Sequence, residues 1–183
     1  MLSVGPTRTP MTHPNDAEKW LDREDRVCRE GRIQRLEWLA SLTAPAGNWL
    51  FPGGWVAKHL FEEARYCFAY GQFMAATVLG MAYVERTLAA RLFAAGKSDL
   101  ERADISALLR EAIALGWCDE AQFGQLDRAR RLRNPLAHFR GFGQEDTVEY
   151  RSITQDQTAD SIVEEDARHV MQVVFRLLGN DAA

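Results

Sequence analysis

The sequence predicts an all-α fold, a bundle of five or six helices, from three observations. A long amphipathic pattern runs from Asp16 to about Leu42. The stretch from Phe73 to Val84 is apolar on nearly every side, as expected of a central helix. A last amphipathic pattern covers about Ala159 to Leu178. At 183 residues, 46% hydrophobic and 26% charged, the chain has the size and composition of one globular domain with a sizeable core. It shows no internal repeat.

Taken in order, residues 1–14 hold three prolines and read as a flexible tail, and residues 15–183 as one helical domain. Asp16 is a good N-cap for the first helix, whose apolar side is supplied by Val27, Ile33, Leu36, Trp38 and Leu39. The stretch APAGNWLFPGG (44–54) is rich in turn formers and breaks the helical pattern. Its Trp49, Leu50 and Phe51 are expected to plug the core or cover a neighbour. A second helix is expected from Trp55 to Tyr70, ended by Gly71. The third, the central one, has Gly96 as its stop signal. A fourth amphipathic helix starts near Asp104, and a fifth covers 119–133. Residues 139–158 lose helical period, and TVEYRSI within them alternates enough for a short strand or hairpin arm before the final helix.

The formal net charge is -4, so a nucleic-acid or membrane activity would need a local patch. The N-terminus lacks the apolar core of a secretory signal, and no apolar run is long enough to span a bilayer, which makes the cytoplasm the default location and membrane association unexpected. Cys28, Cys67 and Cys118 are odd in number and widely spaced, as expected of free thiols in a reducing compartment. His13, His59, His138 and His169 form no ligand pair at helical spacing, so neither zinc nor another cofactor is expected.

The local patch is at RRLRNPLAHFRG, residues 130–141. Arg128, Arg130, Arg131, Arg133 and Arg140 face a single acid, Asp127, within residues 124–143, a local charge of +4 in an acidic chain. Proline is harmless at the first position of a helix and Asn is among the best N-caps, so Asn134-Pro135 reads as the start of a new helical segment after a break at about Arg133. On an unbroken helix, Arg133 and His138 would point about 140° apart. The break would let both reach one small anion, beside backbone N–H groups at the positive end of a helix dipole. An arginine fork binds phosphate bidentately and histidine exchanges protons near neutral pH, which suits metal-independent RNA cleavage. In the bland alternative, the segment is a helix joint, Arg133 a salt-bridge partner and His138 a satisfied polar group.

RNPLAH resembles the motif of the HEPN superfamily (higher eukaryotes and prokaryotes nucleotide-binding domain), whose RNase members carry Arg, usually a polar residue next, and His a few positions on. YGQFMAATVLGMAYVERTLAARLF is similar to that family's central helix, LLREAIALGWCDEAQFGQLDRARRLRN to the helix leading into the motif, and EEDARHVMQVVFRLL to its closing helix. The resemblance spans about residues 55–178. It implies an α-helical bundle that dimerises into a composite RNA-cleaving cleft, often within toxin–antitoxin or anti-phage systems. It also implies an endoribonuclease with Arg133 and His138 as the catalytic pair and Asn134 as the motif's polar residue. Glu85 is then a candidate for the acid that some members present from the central helix, or else an ion-pair partner for a bundle arginine. Arg128, Arg130, Arg131 and Arg140 would hold the RNA backbone. The alternative within the same family is a non-catalytic module that binds a nucleotide or RNA, or dimerises, as a subunit of a larger defence complex. Two departures stand out. Toxins silenced by a nucleotidyltransferase antitoxin usually have Tyr two residues after the histidine, where this chain has Arg140, and Pro135 replaces an ordinary helix former.

Overall fold

The computed structural model describes residues 14–42, 50–141 and 143–179. Within them the chain forms seven α-helices and no strand: α1 (Pro14–Leu42), α2 (Gly54–Ala69), α3 (Phe73–Ala94), α4 (Ile105–Ala114), α5 (Glu120–Ala137), α6 (Val148–Gln155) and α7 (Ala159–Gly179), with a 3-10 turn at Ser98–Leu100. The proline-rich tail up to residue 13 and Trp49 lie outside the described residues.

Local chemistry accounts for most of the boundaries. Gly71 (φ 76°) follows the end of α2 in a left-handed conformation that a side chain would strain. Past α3, the amide of Gly96 donates to the Phe93 carbonyl (3.0 Å) and that of Lys97 to the Leu92 carbonyl (2.9 Å), the paired bonds of a Schellman stop. Asp104 caps α4 by accepting from the Ala107 amide at 2.9 Å. Asp119 and Gln122 close a reciprocal capping box at the start of α5.

Helix α3 is the axis of the bundle and packs against α2, α4, α5 and α7. It buries Ala76, Met81, Tyr83, Val84, Leu88 and Leu92, on more than one side, as its uniformly apolar sequence requires. It crosses α7 closely at Gly80, where an added Cβ would stand 2.8 Å from Val170 Cγ1 and 3.2 Å from Val174 Cγ2. Glycine at that point lets the two backbones approach.

The described helices number seven where five or six were expected, and Asp16 lies within the first turn of α1 and does not precede it as an N-cap; three further expectations are corrected. Val27 (72% exposed) and Leu36 (51% exposed) stand in solvent. Helix α1 engages the bundle through its C-terminal half, where Leu39 is buried and the Trp38 ring lies 5.0 Å from that of Phe68. In the 44–54 turn, Phe51 packs against Phe61 and Tyr83, whereas Leu50 is 63% exposed.

TVEYRSI, the third, is helical. Thr147 caps α6, its hydroxyl accepting from the Tyr150 amide at 3.2 Å, and Arg151 grips the buried Asp166 of α7 through two bonds of 2.7 and 2.8 Å. Helix α6 contains no fully buried residue, so this bidentate pair is its principal polar tie to the bundle. The alternation of Val148 and Tyr150 is too short to specify a period, and the cap with the Arg151 tie decides for helix.

Candidate active site

The RNPLAH segment occupies the C-terminal end of α5. The helix runs without interruption through Asn134 and Pro135 to Ala137, so the expected break between Arg133 and Asn134 does not occur. Pro135 sits in the last turn, where its missing N–H removes one backbone bond. That loss is tolerated because the turn is closed next door, the His138 amide donating to the Asn134 carbonyl at 3.0 Å. Asn134 is accordingly no N-cap. Its amide lies over the preceding turn, oriented so that its nitrogen donates to the Arg130 carbonyl (3.2 Å) and its oxygen accepts from Arg130 Nη1 (3.3 Å).

The chain leaves the helix at His138, whose backbone is extended (φ -132°, ψ 135°) and whose side chain is exposed. The segment therefore offers no helix start. It offers a helix C-terminus, whose dipole favours cations over anions. Any phosphate here would be held by side chains, and the expected ring of free backbone N–H groups is withdrawn.

Arg133 points towards the bundle. On a continuous helix it lies within about 40° of Ala129, which is fully buried, and about 160° from Arg131. From that inner side its Nη2 reaches Glu85 Oε2 of α3 at 3.1 Å. Both side chains are partly exposed, 22% and 35%, so the pair lies at the mouth of the α3–α5 seam. Glu85 and Arg133, named separately from the sequence, are thus brought together, with His138 just past the end of the same helix.

The other arginines are dispersed. Arg130 and Arg131 both engage Asp127, at 2.8 and 3.2 Å, with Arg130 Nε adding a 2.9 Å hydrogen bond. Arg140 Nε lies 3.4 Å from Asp146 Oδ2, aligned too poorly for a hydrogen bond. Arg128 is exposed on another side of α5, near enough to His169 to oppose its protonation. Two carboxylates from outside the segment, Glu85 and Asp146, halve its apparent charge of +4. Asp146 was not anticipated because nothing in sequence spacing ties it to Arg140. Phe139, next to His138, was also missed. It is 96% exposed and borders a groove of about 490 Å³ together with Met74, Pro135, Leu136 and Arg140.

Cys28, Cys67 and Cys118 are free thiols, and partial burial raises the pKa of Cys67 and Cys118 above the ordinary value. Among the described residues, no three His, Cys, Asp or Glu side chains are grouped to hold a metal ion, and no helix is long and apolar enough to cross a membrane. No family model, curated protein or solved structure matches the chain.

Proposed function

We propose that the protein is a metal-independent endoribonuclease of the HEPN type, acting as a homodimer in the cytoplasm within a toxin–antitoxin or anti-phage system. The observation that carries this reading is the Glu85–Arg133 contact at 3.1 Å, which steadies a guanidinium five residues before an exposed histidine. Arginine and histidine at that spacing are the two groups the reaction needs.

In the proposed reaction His138 takes the proton of a ribose 2′-OH, and the oxygen attacks the adjacent phosphorus. Arg133 binds the two non-bridging oxygens and stabilises the added negative charge of the phosphorane-like transition state. The P–O5′ bond then breaks, leaving a 2′,3′-cyclic phosphate, and the departing oxygen takes a proton to end as a 5′-OH. The attacking 2′-oxygen and the departing 5′-oxygen lie on opposite sides of the phosphorus, so one imidazole does not reach both and the His138 of a second copy is the natural acid. Phe139 and its groove supply apolar surface beside the motif for that second copy.

A specific observation also favours a non-catalytic binding module. Four of the five arginines already face carboxylates, and Arg133 is one of them. RNA cleavage in EDTA by the wild-type chain and by His138→Ala separates the two readings. The nuclease reading expects 2′,3′-cyclic phosphate products from the wild type and none from His138→Ala or Arg133→Ala. Equal cleavage by a clean His138→Ala preparation would rule it out, and salt-sensitive RNA binding without cleavage would establish the module.

A further inference from the structure

Away from the motif, α1 carries an arginine at every third position from Arg23 to Arg35: Arg23, Arg26, Arg29, Arg32 and Arg35. Steps of three place successive members side by side on a slowly winding ridge, about 4.5 Å apart along the axis. Part of that ridge borders a groove of about 780 Å³ between α1 and α2, lined by Arg29, Arg32, Leu36, Arg65, Tyr66 and Tyr70 among others.

Two of those residues form an aromatic platform. The Tyr66 and Tyr70 rings stack at 5.1 Å between centroids with only 7° between their planes, and the Arg32 guanidinium lies 5.0 Å from the Tyr70 centroid. Tyr66 is 67% exposed and Tyr70 48%, so among the described residues the platform is left largely uncovered. A packed core has no use for stacked tyrosines that remain wet. The two carboxylates that line the groove are engaged: Asp25 holds Arg32 at 2.7 Å, and Glu62 faces Lys58 and His59. Among the described residues Arg65 enters no ion pair and finds no acceptor for its buried Nε, and its guanidinium lies 5.6 Å from the Phe61 centroid.

We propose that this groove binds single-stranded RNA. A base extends the stack on Tyr66, and Arg29 and Arg65 take the flanking phosphates. Aromatic stacking beside arginines is how single strands are held without sequence readout, because every base has a π-face and every linkage a phosphate. A duplex keeps its bases inside and cannot use the platform. The groove also lies close to the motif. Met74, which borders the groove beside Phe139 and Arg140, is four residues after Tyr70, so their backbones are at most about 15 Å apart. A strand leaving the tyrosines can therefore run to the Arg133–His138 end of α5. The proposal rests on the ribonuclease reading for the choice of RNA, and its test is separate from that reading.

The test uses the full chain carrying His138→Ala, with binding of a short fluorescent single-stranded RNA followed by anisotropy at about 50 and about 200 mM salt. Tyr66→Ala and Arg29→Gln should each weaken binding about tenfold or more, while Tyr66→Trp, which keeps a π-face, should bind like the parent. Replacing Arg29 should also flatten the salt dependence. Parent-like binding by Tyr66→Ala, no RNA binding by the parent, or equal displacement of the RNA by a poly-glutamate peptide would each overturn the proposal. Cleavage is measured in parallel on chains with an intact His138. Cleavage that survives His138→Ala tells against the nuclease reading without touching the groove, and groove failure with normal cleavage does the reverse.

Discussion

Arg133 Nη2 of α5 stands 3.1 Å from Glu85 Oε2 of α3, a link between residues forty-eight positions apart that crosses the seam beside His138. Because both side chains are partly exposed, the pair is expected to contribute no more than about 1 kcal/mol to stability. Its value is positional. Glu85→Gln should leave the melting temperature nearly unchanged while lowering kcat for RNA cleavage about ten- to a hundredfold with KM little altered. Glu85→Asp should recover part of the loss. A large drop in stability with unaltered kcat in the surviving folded fraction would make the pair purely structural.

Gly80 offers a test of packing whose sign is informative. In an exposed helix, Gly→Ala is favourable by about 1 kcal/mol. Here the new methyl would meet Val170 Cγ1 at 2.8 Å, and Val170 is fully buried with no room to retreat. Overpacking of this kind costs about 1–3 kcal/mol. Gly80→Ala should therefore lower the urea midpoint by the equivalent of about 1 kcal/mol, and adding Val170→Ala should cost less than the two changes summed. A more stable Gly80→Ala protein would mean that α3 and α7 are not in close contact.

His169 gives the fold a pH dependence. Its Nε2–H donates to the Gln125 carbonyl at 3.0 Å from a half-buried site. Burial is the main force lowering its pKa, with Arg128 and Arg176 acting in the same sense, the Gln125 carbonyl and Asp166 acting against them. A histidine whose folded pKa lies below the unfolded 6.5 binds its proton more readily in the unfolded chain. Its contribution is thus complete above about 6.5 and is lost as pH falls from there through the folded value. The melting temperature should drop between about pH 7.5 and about pH 5.5, and His169→Gln, which can still donate to Gln125, should show a shallower drop. An identical slope in that variant would assign the acid sensitivity to other groups.

Elements bounded by local chemistry could be read directly: helix starts near Asp104 and at 119, Gly71 and Gly96 as stops, and the all-round apolar α3. Errors arose where a partner distant in sequence decided the outcome. TVEYRSI became a helix through Asp166, fifteen residues downstream of Arg151. Asn134-Pro135 obeys every local rule for a helix start, yet α5 continues because the last turn loses only one backbone bond at Pro135 and the Asn134 amide folds back onto Arg130. The Arg133–His138 motif was legible as residues but not as geometry. Arg133 remains on the helix, and His138 is the residue that departs from it. The carboxylates that engage Arg133 and Arg140 come from other parts of the chain, where spacing carries no signal.

The grip of Arg151 on Asp166 has a consequence for motion. An eight-residue helix is far too short to persist alone in water, and α6 buries no residue fully, so the Thr147 cap and the paired hydrogen bonds to Asp166 are its main polar supports. It should open as a unit while α3 and α7 stay intact, exchanging its amide hydrogens long before the core does. The residues from Gly143 to Thr147, which lead into this detachable splint, would then gain slack each time α6 lets go. The width of the groove beside His138 would follow the opening and closing of a single ion pair.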